Sequence, residues 1–206
     1  MDQVVNLIFH NQCLRSYIEV DLCAICPRQD EKGCCALYSP VFYPTDFAYL
    51  LLHRRSLIDK IFQLDHLTIL DASVTANHDI DGESFLCAFH SRESGCLLPQ
   101  EFRESICRHF VCSGIGWWQE ESLQHWHHFF ESLTDYEIEL NNRISAELAE
   151  LGLSLRNPGS RQDFFSALLP IYQREIASKP AFFHDVPEIE SVKLVRPLRF
   201  GKDWEL

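Results

Sequence analysis

Nine cysteines are the residues of this sequence whose type and spacing point most directly to chemistry. One of them, Cys13, stands alone, and the other eight fall into two groups. In a chain kept in a reducing compartment, clustered cysteines are metal ligands or redox groups more often than core filler. We therefore predict that all eight clustered cysteines bind metal. They are Cys23, Cys26, Cys34 and Cys35 in the first group, and Cys87, Cys96, Cys107 and Cys112 in the second.

The first group has the pattern C-x2-C-x7-C-C. A C-x2-C loop lets two thiolates reach one metal from a tight turn, as in zinc and iron–sulfur sites. Successive side chains of an extended segment point apart, so we expect Cys34 and Cys35 to serve different corners of a cluster or different metals. The second group is spaced by 8, 10 and 4 intervening residues. Neither group has zinc-ribbon spacing, so ligands from both groups would tie distant loops together.

Sulfur ligation selects zinc, copper(I) or an iron–sulfur cluster over magnesium or calcium. We prefer an iron–sulfur cluster because Cys26-Pro27 resembles the Cys-Pro of ferredoxin loops and because an adjacent cysteine pair suits a polynuclear centre. Zinc is the alternative, since it tolerates irregular loops. Thiolates leave excess negative charge, so Arg103 and Arg108 beside Cys107 are candidate cofactor-binding residues that donate hydrogen bonds to sulfur. The alternative is that both arginines form ordinary ion pairs at the surface.

Short motifs accompany the cysteines along roughly half of the chain, from about Leu22 to Cys112. They are Gly33-Cys34-Cys35, Pro44-Thr45-Asp46, Cys87-Ala88-Phe89-His90, Cys96-Leu97-Leu98 and Arg103-Glu104-Ser105-Ile106-Cys107-Arg108. The combination resembles the YkgJ-like cysteine-cluster family, whose members are described as zinc- or iron-chelating proteins. The chain departs from that pattern in three places: a longer gap after Cys26, Glu104 in place of proline, and Leu98-Pro99 in place of an Ile-Tyr pair.

The resemblance implies a metal-binding protein with a redox or accessory role. The family also includes a longer flagellin lysine N-methylase, so a cluster-dependent enzyme that modifies protein side chains is one alternative. A zinc-stabilised interaction module is another. The sequence itself leaves open whether the chain is an enzyme and names no catalytic residue.

The clearest helix predicted by apolar spacing runs from about Trp117 to Leu151. Eight acidic residues and one arginine lie within it, so its outer face is strongly negative and would suit a basic protein partner. Glu121, His125 and His128 share one side of this helix and could in principle hold a metal. A solvated face is the preferred interpretation, because helical spacing alone is weak evidence.

The remaining elements complete a mainly α, single-domain prediction for residues 1–206. Residues 22–112 would form irregular metal-binding loops, and residues 117–206 a helical scaffold with an extended tail. We expect one or two strands or an irregular lead-in over residues 4–20, a short strand at 41–43, and a helix from Pro44 towards Phe62. Another helix is predicted from Arg161 to Ser178, kinked or divided by Pro170.

Composition excludes several classes of protein. The chain has 206 residues, of which 46% are hydrophobic, and its 15 Phe, 6 Tyr and 4 Trp argue against disorder. A formal charge of −12 argues against sequence-unspecific nucleic-acid binding. The longest dense apolar run, Phe47 to Leu52, is far below the roughly 20 residues that span a bilayer. The first residues lack the basic start of a secretory signal. We therefore expect a cytoplasmic protein without a membrane or nucleic-acid partner.

Overall fold

The computed structural model describes residues 2–24, 35, 38–82, 84–91, 93 and 95–197. Within these residues, strands form four small antiparallel sheets around five α-helices. The strands are β1 (Gln3–His10), β2 (Tyr17–Val20), β3 (Val41–Phe42), β4 (Leu67–Ile69), β5 (Val74–Ala76), β6 (Asp79–Asp81), β7 (Ser84–Leu86), β8 (His90–Ser91), β9 (Gly95–Cys96) and β10 (Ile189–Arg196). The helices are α1 (Pro44–His53), α2 (Arg55–Phe62), α3 (Ser105–His109), α4 (Gln124–Glu150) and α5 (Arg161–Glu175).

The largest sheet joins the two ends of the chain, in the order β10-β1-β2. Strand β1 pairs along its whole length with β10, from Gln3 opposite Arg196 to His10 opposite Ile189. Alternate β1 side chains, including Phe9, point into the core, as the two-residue period of a strand requires. The Phe9 ring stacks on Trp126 with centroids 5.1 Å apart. The sheet therefore packs against the beginning of α4.

The helices α1, α4 and α5 pack against one another and carry much of the core. Helix α4 buries Trp126, Leu133, Leu140 and other apolar side chains on one face, as the apolar spacing predicts. Helix α5 continues through Pro170, so the predicted division of this helix is wrong, while the predicted kink stays a prediction. Proline removes one backbone hydrogen bond, and burial of side chains on both sides of it keeps the helix intact. None of the described helices combines the length and apolar composition needed to cross a bilayer.

The prediction of a mainly α fold is wrong. Among the described residues 51% are helical and 20% lie in strands, which makes the protein a mixed α and β structure. The strands from β3 to β9 have only two or three residues each, too short to show a periodic pattern. The partner of β1 lies at the far end of the sequence, where local spacing gives no signal of pairing.

Two predicted helix boundaries also change. The helix expected from Trp117 begins as α4 at Gln124, after two short 3-10 turns, because Glu120 between these turns has an extended backbone with ψ of 121°. The run expected from Pro44 to Phe62 is divided into α1 and α2 at Arg54, whose backbone is not helical. The strands predicted near residues 4–20 and 41–43 are present as β1, β2 and β3.

Candidate metal centre

Five of the eight predicted cysteine ligands have described side chains. Cys87 is buried, while Cys35, Cys96, Cys107 and Cys112 are half-buried. Cys26 and Cys34 lie outside the described residues, and for Cys23 only the backbone is described, in the 3-10 turn Asp21–Ala24. The complete ligand set therefore stays a prediction.

The described parts of the two cysteine groups lie next to each other. The backbone N–H of Cys87 donates a hydrogen bond of 2.8 Å to the carbonyl oxygen of Cys35. The 3-10 turn that contains Cys23 packs against β9, which contains Cys96. The ring of Tyr38, three residues after Cys35, lies 5.3 Å from the ring of Phe110. Three separate contacts thus join segments that are distant in sequence.

Cys87 begins a tight local structure that also positions Cys96. The Cys87 carbonyl accepts the N–H of His90 at 2.9 Å, and the Cys87 sulfur lies 3.5 Å from the N–H of Phe89, which donates to it. His90 then pairs with Cys96 across the β8–β9 hairpin. An N–H donor on the sulfur is the kind of outer contact that stabilises a metal-bound thiolate.

Cys107 lies in the short helix α3, whose start is capped by Glu104. The two carboxylate oxygens of Glu104 accept the N–H groups of Ile106 and Cys107, each at 2.9 Å. Glu104 is almost completely buried, and burial raises the pKa of its carboxyl group, while hydrogen bonds from Cys107 and Ile106 oppose that rise. This cap fixes the backbone direction at Cys107.

Arg108 anchors α3 to the long helix α4. Its guanidinium is fully buried and forms an ion pair with Glu137, which also accepts a hydrogen bond from the Ser105 hydroxyl. Arg108 donates a further bond of 2.8 Å to the Ser16 carbonyl. Arg103 donates through Nε to the Leu98 carbonyl at 3.0 Å. The prediction that Arg103 and Arg108 donate to a cysteine sulfur stays a prediction.

A second buried ion pair holds the loop that precedes α3. Arg15 contacts Asp46 at 2.8 Å and also donates to the carbonyl oxygens of Glu101 and Arg103. Asp46 accepts the N–H of Tyr43 and so caps α1. Sequence reasoning identified Asp46 as part of a helix start but missed its partner Arg15. The pairing of Arg108 with Glu137 was missed as well, because ion pairs between distant residues have no local sequence signal.

His109 follows Arg108 and is held in the neutral form. Burial is the main cause, and the charge of Arg108 adds to it, so the pKa of His109 lies well below its ordinary value of 6.5. The neutral ring nitrogen Nε2 lies 3.2 Å from the Arg108 guanidinium, which donates to it. His109 therefore satisfies part of the hydrogen bonding of the buried arginine.

A group of three potential metal ligands lies on α4. Within the described ranges, His127, His128 and Glu131 form the one group of at least three such side chains whose ligand atoms all lie within 4.8 Å of one another. The different set suggested by helical spacing, Glu121, His125 and His128, is not brought together. Instead, His125 Nε2 lies 3.0 Å from Glu190 of β10.

Comparison of the chain with protein-family models, with curated proteins and with solved structures finds no match. The resemblance to the YkgJ-like family therefore stays a prediction from the short sequence motifs.

Proposed function

We propose that this chain is a cytoplasmic metal-binding protein in which thiolates from both cysteine groups hold one inorganic centre. An iron–sulfur cluster is the preferred centre, and zinc is the alternative, because thiolate sulfur favours both over hard cations such as magnesium. A reducing cytoplasm would keep these thiols available as ligands. The proposed role is redox or accessory, and it requires no catalytic side chain.

The hydrogen bond from the Cys87 N–H to the Cys35 carbonyl carries this proposal. Thiolates from both groups can serve one centre only if the two segments meet in space. In the sequence, 51 residues separate Cys35 from Cys87. Metal ligation between loops that already touch costs less chain ordering than ligation that must first bring them together. The contact between the rings of Tyr38 and Phe110 also joins the segment after Cys35 to the segment between Cys107 and Cys112.

The buried ion pairs support the proposal because they hold the second cysteine group on rigid elements. Arg108 with Glu137 fixes α3 against α4, and Arg15 holds the preceding loop through two carbonyl oxygens. A metal centre needs ligands held close to their final geometry by surrounding contacts. The fold supplies that support at Cys107, where the helix is also capped by Glu104.

The test is the metal content and visible spectrum of protein purified without oxygen. Iron with sulfide and a brown colour that dithionite bleaches reversibly would support a redox cluster, and stoichiometric zinc in colourless protein would support the alternative. Cys87→Ser should lower the metal content, whereas the matched Cys13→Ser variant should keep it, because Cys13 lies outside both groups. Circular dichroism checks that both variants are folded. Absence of both metals from folded wild-type protein, or equal metal content in the two variants, would overturn the proposal.

A further inference from the structure

A groove of about 930 Å³ runs between the segment after α3 and one face of α4. His109 at the end of α3 and the following Phe110 and Val111 form one wall, and α4 contributes side chains from His127 to Asp135. Trp117 forms part of the same wall. The groove is large enough for a small ligand.

Three side chains at this groove have the chemistry of a transition-metal site. The ligand atoms of His127, His128 and Glu131 lie within 4.8 Å of one another, and all three residues line the groove. Two imidazole nitrogens with one carboxylate oxygen are ligands that zinc and other first-row divalent cations accept, whereas magnesium and calcium prefer oxygen alone. The cluster contains no sulfur, which separates it chemically from the cysteine centre.

The spacing of these atoms is close to what a metal ion requires. Zinc–nitrogen bonds of about 2.0 Å in a tetrahedral site place neighbouring ligand atoms roughly 3.3 Å apart. His127 Nδ1 and Glu131 Oε2 are already 3.7 Å apart. Since His128 and Glu131 are exposed, rotation of their side chains can close the remaining distance.

The surroundings hold one ligand in place and leave the others adjustable. The ring of His127 packs edge-on against Trp117, with centroids 6.1 Å apart. Asp135, one helical turn beyond Glu131, lines the same groove and adds a negative charge that attracts cations. A bound ion would have three protein ligands, and its remaining coordination position would face the groove. That arrangement is the one found in zinc sites that bind water or a substrate.

We propose that His127, His128 and Glu131 form a second metal site, which binds a first-row divalent cation such as Zn²⁺ at the groove and leaves one position open to an oxygen ligand. This site does not depend on the cysteine centre. Its ligands are nitrogen and oxygen atoms on a single helix, whereas the proposed thiolates come from loops outside α4.

The test is a titration of the full chain with Co²⁺, followed by visible absorption and by equilibrium dialysis. We expect one Co²⁺ per chain whose ligand-field bands come from nitrogen and oxygen ligands, and any thiolate charge-transfer band reports Co²⁺ at the cysteines instead. The double variant His127→Gln/His128→Gln should bind this ion at least about tenfold more weakly, since even outer contacts of a metal site are worth about that much. Glu131→Gln should weaken binding in the same direction.

The matched control is the double variant His53→Gln/His184→Gln, which removes two exposed histidines outside the groove. It should bind Co²⁺ like the wild type. Equal Co²⁺ stoichiometry and affinity in the two double variants would overturn the proposal, and a thiolate charge-transfer band that both variants keep would belong to the cysteines. Iron or zinc found in the purified protein reports separately on the cysteine centre, so failure of one site is distinguishable from failure of the other.

Discussion

Replacing Glu137 with leucine tests the ion pair that anchors the second cysteine group. Glu137 and Arg108 have side chains that are 4% and 0% exposed, and they contact each other directly. The substitution leaves the Arg108 guanidinium buried beside the Ser16 carbonyl and the His109 ring, without the carboxylate that contacts it directly. It also removes the acceptor of the Ser105 hydroxyl.

The size of the effect follows from the burial of the pair. Removing one member of a buried ion pair costs about 3–5 kcal/mol of unfolding free energy, because the other charge stays in the interior without compensation. Replacing both members with apolar residues is often close to neutral. We therefore expect Glu137→Leu and Arg108→Met each to lose about 3–5 kcal/mol, and the double variant to lose much less than their sum.

Urea unfolding followed by tryptophan fluorescence gives the free energies, since Trp117 and Trp126 lie in the adjoining core. Glu139→Leu is the control on the same helix. Its side chain is 72% exposed, and the change should be within about 0.5 kcal/mol. A loss below about 1 kcal/mol for Glu137→Leu, or a double variant as unstable as the sum of the singles, would refute the argument. If a single variant fails to fold, a folded double variant still supports the coupling.

Three further predictions concern stability. Burial raises the pKa of Tyr172 from 10.0 to about 12, so the unfolded chain ionises first and stability should fall by about 2 kcal/mol as the pH rises from 10 to 12. Tyr172→Phe should remove that loss in urea unfolding at alkaline pH, and an unchanged slope would contradict it. Glu104→Ala should cost about 1–2 kcal/mol in the same assay, because two partly buried N–H groups at the helix start lose their acceptor, whereas a neutral result would count against the cap. Gly116→Ala should cost about 1–2 kcal/mol at φ of 56°, and a thermal melt unchanged from the wild type would exclude strain there.

Sequence reasoning predicted the elements whose information is local. The apolar spacing of α4 located its buried face, and the Pro44-Thr45-Asp46 motif located the start of α1. The sheet β10-β1-β2 was not predicted, because the strand with which β1 pairs along its whole length, β10, lies at the other end of the chain. The hairpins between β4 and β9 were missed because strands of two or three residues carry too little pattern.

The candidate site also combines features that have a local sequence signal with features that have none. Cysteine counts and spacing predict two groups that meet, and the Cys35–Cys87 hydrogen bond joins them through the backbone. Among the described residues no cysteine belongs to a group of three potential ligands within 4.8 Å of one another, so the shared centre stays a prediction. No local pattern indicates that Arg108 is fully buried, since charged residues are rarely buried unless they are paired. Its partner, Glu137, is one of several acidic residues in α4, and the sequence does not distinguish this buried one from those on the solvated face.

The buried Arg108 side chain connects the short helix α3 to two other parts of the fold. The guanidinium binds Glu137 on α4 and the Ser16 carbonyl before β2, so α3 is fixed to both the long helix and the N-terminal sheet. Cys107 precedes this anchor by one residue, and His109, which lines the groove, follows it. A displacement of α3 would therefore move the proposed thiolate ligand and the groove wall together. This arrangement links the position of the cysteine segment to the wall of the groove, and the Arg108–Glu137 pair is one contact that holds both.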